Sequence, residues 1–476
     1  MKKKNVWALL MAAVMTLSLA ACGLTNTPAS KTSKAEVQAS TSKEESTGGA
    51  DTADIKVPSY TELNLDDYKD VTASIKFIHH KTDRAADGTM DNMVAEFNKE
   101  FPGITVSMEA ITDYAEDSLL RLNAGNWGDI MFIPAVDKSE LKNYFMPLDS
   151  YENLSGVLNF VDAWQFDNIC YGIPYMANAQ GVLYNKAVFK AAGIDNLPTT
   201  PTEFLADLAL IKEKTNAIPL YTNYAAGWTM GAWDAYIGSV SNGDDTFMNQ
   251  KFVHTAAPFA DPGDDTGAYN LYRILYEASQ NNLIEDDYTT TDWEGSKGML
   301  NRGEIGTMVL GSWAYAQMQE ADSHPEDVGY MPFPITVNGT QYALAGGDYN
   351  YAINVKSSDE NKLASLIFVK WMTEKSGWCY NEGGYTVVKG GKNPDMYSAF
   401  DGCSVLSDQP ALAGEETLLN DMNNESELSF NAGGNAKVQR IIESAVTGSE
   451  TLDDILLDWT KAWNAAQKEL GIEVKY

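Results

Sequence analysis

Strand-like and helix-like hydrophobic patterns alternate over residues 72–133, and this alternation limits the fold more than any other feature of the sequence. Apolar side chains at every second position, such as Ile75 and Phe77, predict strands. The runs between them have apolar side chains at helical spacing, and Pro102-Gly103 ends the first of these runs. The predicted elements are a strand at 72–78, a helix at 90–101, a strand at 104–108, a helix at 118–124 and a strand at 129–133. The order βαβαβ predicts an open parallel α/β sheet of the doubly wound type.

The same two patterns continue to the end of the chain, so we predict an α/β protein throughout. Trp459 and Trp463 lie on the apolar face of the last predicted helix, which favours core positions for both over contact with a ligand. Asp129 precedes a buried strand, where we expect a structural turn residue. Later helices are predicted at 201–215, 296–302, 363–371 and 452–470, and later strands at 306–310, 328–331 and 352–355.

The N-terminus has the pattern of an export signal. Lys2 to Lys4 are basic, and the apolar stretch 6–20 that follows is too short to span a membrane. Leu19-Ala20-Ala21-Cys22 resembles the bacterial lipobox, in which cleavage leaves a cysteine whose sulfur carries lipid. Two acyl chains suffice for stable anchoring. We therefore predict a signal peptide at 1–21, lipid on Cys22 and a location on the outer surface of the cytoplasmic membrane; the alternative is an ordinary secretory signal with a chance cysteine.

A flexible linker is predicted next. Residues 23–58 contain eleven Ser or Thr and few large aliphatic side chains. A segment of this composition buries too little apolar surface to order itself. We therefore assign residues 22–58 to a linker between the lipid and a globular part of about 415 residues, long enough for two or more domains.

Charge limits the partners of this globular part. The chain has 66 acidic and 34 basic residues, for a formal net charge of −32. Nucleic acid and anionic membrane surfaces both require a basic face on the protein that binds them. We therefore expect no nucleic-acid partner, and the charge favours a neutral or cationic ligand.

The cysteines do not form a recognisable framework. Besides Cys22 the chain has Cys170, Cys379 and Cys403, so at most one disulfide can form and one thiol is left over. None has the spacing of a zinc or redox motif, and a buried structural role is the interpretation we favour for each. The sequence leaves the choice of a disulfide among the three open.

Local signatures of catalysis are absent from the sequence. The four histidines, at 79, 80, 254 and 324, do not form a metal-binding pattern, and no nucleophile elbow, phosphate-binding loop or dinucleotide-binding glycine pattern occurs. We therefore expect no cofactor and no metal. Glycoside hydrolysis by two carboxylates stays open as an alternative, because the fold can bring together acids that are distant in sequence.

Five short motifs follow one another over residues 72–471. They are Phe101-Pro102-Gly103-Ile104; Tyr171-Gly172-Ile173-Pro174-Tyr175 with Tyr184-Asn185-Lys186; Pro201-Thr202-Glu203-Phe204; Gly303-Glu304-Ile305-Gly306 with Gly311-Ser312-Trp313; and Gly346-Gly347 before the strand at 352. In this order they resemble the extracellular sugar-binding proteins of bacterial ABC importers, the maltodextrin-binding-like class. Gly306 and Thr307 depart from the pattern, since alanine is commoner there.

The resemblance implies a two-lobed periplasmic-binding-protein-like fold, in which each lobe is an open sheet flanked by helices and several strands join the lobes. It assigns 59–173 and 335–376 to a first lobe and 174–334 and 377–476 to a second. It also implies a monomer that captures a mono- or oligosaccharide in the cleft between the lobes and delivers it to the membrane subunits of an ABC permease. A non-sugar solute is the alternative ligand.

The residues of such a cleft can be predicted from the chemistry of a sugar. A pyranose presents a face of C–H groups and a rim of hydroxyls, which suit flat aromatic rings and planar hydrogen-bonding groups. The resemblance places Trp313 at the family's aromatic platform. The other candidates are aromatic residues near glycines and polar residues at strand ends, with core packing or a surface ion pair as the alternative roles. They are Trp228, Trp233, Tyr224, Tyr349, Tyr175, Asp348, Asp83 and Arg84.

Overall fold

The computed structural model describes residues 56–112, 114–431 and 435–476, excluding the side chains of residues 116 and 117. The predicted signal peptide, Cys22 and nearly all of the predicted linker lie outside the described residues. None of the helices in the described ranges is both long and apolar enough to cross a membrane.

Among the described residues, the first part of the chain contains seven strands and five α-helices. They are β1 (Ala73–His79), α1 (Thr82–Ala86), α2 (Thr89–Glu100), β2 (Ile104–Ala110), α3 (Tyr114–Ala124), β3 (Ile130–Phe132), α4 (Leu141–Tyr144), β4 (Asp149–Ser150), α5 (Tyr151–Val157), β5 (Gln165–Phe166), β6 (Ile169–Cys170) and β7 (Ile173–Pro174). The predicted βαβαβ order is confirmed, because β1 pairs in parallel with both β2 and β3.

The middle of the chain adds six strands and seven helices. They are β8 (Ala177–Asn185), α6 (Lys186–Ala192), α7 (Pro201–Lys214), β9 (Ile218–Leu220), α8 (Trp228–Gly231), α9 (Ser239–Asn242), α10 (Gly267–Gln280), α11 (Trp293–Asn301), β10 (Ile305–Gly311), α12 (Trp313–Glu320), β11 (Val328–Pro332), β12 (Thr336–Val337) and β13 (Thr340–Gly347). α7 begins with Pro201 in its first turn, and the Thr200 side chain accepts the backbone N–H of Glu203, as expected of a helix start.

The last part returns to the first sheet and then ends in helices. Its elements are β14 (Asn350–Ile353), α13 (Asp359–Glu374), α14 (Trp378–Asn381), β15 (Ser404–Leu406), α15 (Leu418–Ser426), α16 (Asn435–Thr447) and α17 (Leu452–Glu469). A capping box between Thr451 and Asp454 starts α17. Trp459 and Trp463 are 2% and 0% exposed, which confirms their predicted core positions.

Two sheets organise two lobes. The first lobe has the strand order β2-β1-β3-β14-β7, and its core includes Phe77, Phe97 and Phe368. The second lobe is built on the order β12-β13-β8-β10-β9, with β11 on β8 and β15 on β13. Its side chains form separate clusters, one around Leu208 and Trp463 and another around Leu310. The α/β fold with two lobes agrees with the prediction.

Within the described residues the chain passes between the two cores at three places. Tyr175 and Met176 belong to the first core, and β8 follows at once in the second sheet. β13 of the second sheet runs through Asp348 into β14 of the first. Finally, the chain leaves Trp378 in the first core and reaches Tyr397 in a cluster of the second lobe. Between them, Tyr385 exchanges backbone hydrogen bonds with Ala177, and Val388 still packs against the first core. These crossings place residues 175–178, 347–349 and 382–385 side by side between the lobes.

The lobe boundaries stay a prediction, but the structure places three stretches differently from the sequence assignment. Residues 174–176 were assigned to the second lobe, yet Pro174 pairs in the first sheet and Tyr175 and Met176 lie in the first core. Residues 335–347 were assigned to the first lobe. In the structure Ile335 lies in a core cluster of the second lobe, and β13 pairs with β8. Trp378, assigned to the second lobe, is buried in the first core. The lobe to which a segment belongs depends on strand partners that are distant in sequence, and the local hydrophobic pattern contains no information about those partners.

Two smaller expectations can be compared with the structure directly. Asp129 accepts the backbone N–H of Lys76 at 2.9 Å and hydrogen bonds from Ser357 and Asn361, so its role is structural as predicted. Cys170, Cys379 and Cys403 are all free thiols, and Cys170 is buried.

Candidate functional site: the cleft between the lobes

A cavity of about 500 Å³, here called the first cavity, lies between the lobes. The first lobe contributes residues that follow β1 together with Tyr349, and the second lobe contributes β8 and α12. Its lining comprises His80, Lys81, Asp83, Arg84, Tyr175, Met176, Asn178, Gln180, Trp313, Ala316, Gln317, Asp348, Tyr349 and Glu382. The volume is within the range of ordinary small-molecule sites.

Asp348 organises the floor of the first cavity. Its Oδ2 accepts hydrogen bonds from the Tyr175 hydroxyl at 3.0 Å and from the Asn178 amide at 3.2 Å, while its Oδ1 accepts the backbone N–H of Tyr349 at 2.8 Å. Burial, reinforced by the Asp348 carboxylate, raises the pKa of Tyr175 well above its ordinary value. Tyr175 therefore stays a neutral donor, and the floor is a fixed set of donors and acceptors.

Aromatic rings of the first lobe form one wall. The His80 ring lies 4.5 Å from the Tyr349 ring and 5.8 Å from the Tyr175 ring, measured between centroids. Burial lowers the pKa of His80 to about 4, so the imidazole is neutral at pH 7. Its Nδ1 is buried and makes no hydrogen bond with any residue that the structure describes. A neutral ring with a free nitrogen can hydrogen-bond a polar ligand.

Trp313 of the second lobe forms the opposite wall, and two further tryptophans pack against it. Trp313 starts α12 and lines the cavity; its ring centroid lies 5.6 Å from that of Trp228 and 5.8 Å from that of Trp293. Trp228 and Trp293 meet edge to face at 5.3 Å, and neither lines the first cavity. Trp228 therefore supports Trp313 from the side, although 43% of its own surface is exposed.

Arg84 connects the two lobes at the edge of the cleft. Its Nε lies 2.9 Å from Glu382, and another guanidinium nitrogen lies 3.2 Å from Glu320, which ends α12 of the second lobe. Lys81 also contacts Glu382, at 3.4 Å. Asp83 lines the cavity with a side chain that is 66% exposed. The ion pair considered as an alternative role for Arg84 is thus present, and the pair with Glu320 crosses the cleft.

Besides Trp228, which only supports Trp313, two predicted site residues are not brought to the first cavity. Trp233 is 2% exposed and packs edge to face against Phe333 in the second lobe's core. Tyr224 donates its hydroxyl to Glu443 and stacks edge-on against Tyr288. Trp233 and Tyr224 lie near the same glycine as Trp228. A neighbouring glycine therefore does not distinguish aromatic residues of the core from those near the cleft.

Sequence reasoning missed several residues of the first cavity. They are His80, Lys81, Met176, Asn178, Gln180, Ala316, Gln317 and Glu382. One signal was available, because Asn178 and Gln180 are polar residues two apart in an otherwise apolar strand and so point to one face. Glu382 had no such signal, since it reaches the cleft only through the third crossing.

One further cluster lies elsewhere. Among the residues that the structure describes, His324, Glu326 and Asp327 bring potential metal-ligand atoms within 4.8 Å of one another. His324 and Glu326 are exposed, and none of the three lines the first cavity.

Two α/β lobes joined by three crossings, with a cavity lined by both, define the architecture of a two-lobed ligand-binding protein. The sequence agrees. Residues 81–377 match the model of the bacterial extracellular solute-binding protein family, and the chain belongs to that family. The resemblance inferred from the motifs is confirmed.

Solved structures and curated relatives give the same family. BlMnBP2 from Bifidobacterium animalis subsp. lactis, a manno-oligosaccharide-specific solute-binding protein in complex with mannotriose, is 45% identical with a TM-score of 0.78, over 87% of this chain and 99% of that one. BlMnBP1, the binding protein of an ABC transporter from the same organism in complex with mannobiose, is 45% identical with a TM-score of 0.78, over 88% and 100%. The multiple sugar-binding protein of Streptococcus mutans is 24% identical over 64% of this chain and 72% of its own length.

Proposed function

We propose that this protein captures a carbohydrate in the cleft between its lobes and delivers it to the permease of an ABC importer, and that its ligand is a manno-oligosaccharide. The observation that carries the proposal is the first cavity, where Trp313 and Tyr349 come from opposite lobes above a hydrogen-bonding floor. Similarity to two manno-oligosaccharide-binding proteins at 45% identity supports the choice of sugar.

The chemistry of the cavity suits a neutral polyhydroxylated ligand. Aromatic faces bind the C–H side of a pyranose, and the carboxylate and amide groups of Asp348, Asn178 and Gln317 suit its hydroxyls. The cations Lys81 and Arg84 contact carboxylates of the protein. An anionic ligand that used Lys81 or Arg84 would have to compete with these carboxylates, whereas a sugar leaves the ion pairs in place.

The proposal contains no catalytic step. Two of the three carboxylates that line the first cavity already serve the protein: Glu382 contacts Arg84 and Lys81, and Asp348 accepts three hydrogen bonds; the third, Asp83, is largely exposed. A pair of carboxyl groups free to act as acid and nucleophile, as glycoside hydrolysis requires, is therefore not offered at the floor. The family and its similar relatives consist of binding proteins.

Calorimetric titration of the purified protein tests this function. Mannobiose and mannotriose should bind, with raffinose and a chitin oligosaccharide of matched length as controls of specificity. Chromatography of the sugar after prolonged incubation should show no shorter product. Binding of another sugar in preference would reject the choice of ligand, and release of shorter sugars would favour the hydrolase alternative.

The proposed location can be tested separately. We propose that lipid on Cys22 holds the protein, as a monomer, on the outer surface of the cytoplasmic membrane beside its permease. In the native host, Cys22→Ala should abolish labelling by a fatty-acid probe and move the protein from the membrane fraction to the medium. If Cys22→Ala protein stays lipid-labelled on the membrane, the anchor is elsewhere.

A further inference from the structure

A second cavity, of about 360 Å³, adjoins the first. The two share the side chains of Asn178, Gln180 and Asp348 as lining. The second cavity also lies between the lobes, because Phe160 and Asp162 line it from the first-lobe part of the chain and Ser407 and Asp408 from the second. Its remaining lining is Ala163 and residues 344–347 of β13. The cleft therefore has more room than one sugar-binding cavity.

The two sides of the first cavity differ. On the side lined by Asp83 and Gln317, the ion pair between Arg84 and Glu320 crosses from lobe to lobe. On the side lined by Asn178 and Asp348 the second cavity begins. A ligand longer than the first cavity can thus extend past Asp348 without breaking an ion pair.

Phe160 gives the second cavity an aromatic group in an unusual conformation. Its φ is +61°, a region that bulky residues rarely adopt. Such strain persists where the surroundings hold it and is common at ligand-binding positions. The ring lies 6.2 Å from that of Tyr385 at the third crossing. Phe160 is partly buried against the second lobe, so this first-lobe residue bridges the cleft.

Polar groups accompany the ring. Asp408 accepts a hydrogen bond from Ser239 at 2.5 Å through one oxygen, and Asp162 lines the same cavity from the other lobe. Burial raises the pKa of both carboxyl groups. Burying a polar group without a full set of hydrogen bonds costs free energy, and a ligand that supplies the missing hydrogen bonds offsets that cost. An aromatic ring with polar acceptors beside it repeats the chemistry of the first cavity.

Gly346 lies in the wall of the second cavity, at a position where the backbone conformation does not require glycine. Gly346 does not have a positive φ, and a Cβ added to it would meet no atom within 4 Å. At the next residue, Gly347, a Cβ would lie 3.3 Å from the Phe160 carbonyl oxygen. Glycine at 346 is therefore explained by the space it leaves open.

We propose that the second cavity holds further sugar units, so that the cleft distinguishes oligosaccharides by length, with Phe160 contacting the ring and Asp162 and Asp408 accepting its hydroxyls. This inference rests on the proposed function. The first cavity would hold the shortest ligand between Trp313 and Tyr349, and longer chains would continue past Asp348.

The test is a titration of full-length protein with manno-oligosaccharides of increasing length, starting from mannobiose. For the unaltered protein, affinity should rise on going to chains that reach the second cavity. In Gly346→Val the side chain fills that space. The affinity for the longer chains should fall at least tenfold, while the affinity for mannobiose stays within about twofold of that of the unaltered protein. Gly156→Val is the matched control, because Gly156 also has open space but lies in α5 outside both cavities.

Phe160→Ala provides a second variant in case Gly346→Val folds poorly, and should lower the affinity for longer chains by about three- to tenfold. Equal affinity for all lengths in the unaltered protein would overturn the inference. The inference would also be overturned if both variants kept the ratio of long-chain to mannobiose affinity unchanged, or if they lost affinity equally for sugars of every length. If mannobiose binds and only the ratio is unaffected, the proposed function survives; if no manno-oligosaccharide binds, the proposed manno-oligosaccharide ligand fails and the length selection fails with it.

Discussion

Removing the Trp313 ring is the most direct perturbation of the proposed sugar site. The ring lines the first cavity and rests on Trp228 and Trp293, so one face is available to a ligand while the rest is supported by protein. Trp313→Ala should therefore weaken carbohydrate binding strongly. It should lower stability moderately, because contacts between the three rings are lost as well.

The size of the effect follows from the area involved. A tryptophan buries about 150–250 Å² in all, and one face corresponds to roughly a third of that. At about 25 cal/mol per Å², covering such a face contributes about 1.5 kcal/mol. A specific ring contact adds about 0.5–1.5 kcal/mol. The expected loss of about 2–3 kcal/mol raises Kd by about 30- to 150-fold.

Calorimetry measures Kd, and denaturant unfolding without ligand measures stability. Trp233→Phe is the matched control, since Trp233 lies in the core of the same lobe and does not line the cavity. It should reduce the free energy of unfolding and leave Kd unchanged. The reasoning is refuted if Trp313→Ala binds sugar as tightly as the unaltered protein, or if Trp233→Phe weakens binding as much as Trp313→Ala does.

Three further predictions concern closure and pH. Sugar binding should reduce the radius of gyration in small-angle scattering, since a ligand that touches both lobes favours the closed state; an unchanged profile at saturation would contradict hinge closure. Glu320→Gln removes an ion pair whose glutamate is 61% exposed, so Kd should rise by no more than about fivefold, and less at high salt; a larger, salt-independent loss would mean that Glu320 contacts the ligand. The free energy of unfolding should fall as pH drops from 6.5 to about 4, because burial lowers the pKa of both His79 and His80 from 6.5 to about 4 and unfolding takes up protons in this window. His80→Gln should make this dependence shallower and leave the part due to His79, and an equally steep slope would assign it to other groups.

Part of the binding site was predictable from sequence. Trp313, Asp348, Tyr349, Tyr175, Asp83 and Arg84 all line the first cavity. Each lies at the end of a strand or at a crossing between lobes, positions where ligands of α/β sheets bind and where local pattern is informative. The contribution of each to binding stays a prediction until a ligand is titrated.

Other parts depended on packing between distant segments. Trp228 and Trp233 lie five residues apart in similar context, yet one is 43% exposed beside Trp313 and the other is 2% exposed against Phe333. Likewise, the pairing of β13 with β8 places residues 335–347 with the second lobe, although the sequence assigned them to the first. Neither result follows from hydrophobic periodicity, because periodicity describes one segment and not its neighbours.

The sequence by itself determined part of the elements and the family: apolar spacing is a local property, and the βαβαβ order and the ordered motifs are local as well. Elements such as β8 and α10 were not predicted. The tertiary structure alone decided which side chains meet. Glu382 and Arg84 are 298 residues apart, and Phe160 and Asp408 line one cavity although 248 residues separate them in the chain. Such pairs form only when three crossings bring the lobes together, since the free energy of each contact depends on a partner that the local sequence does not contain.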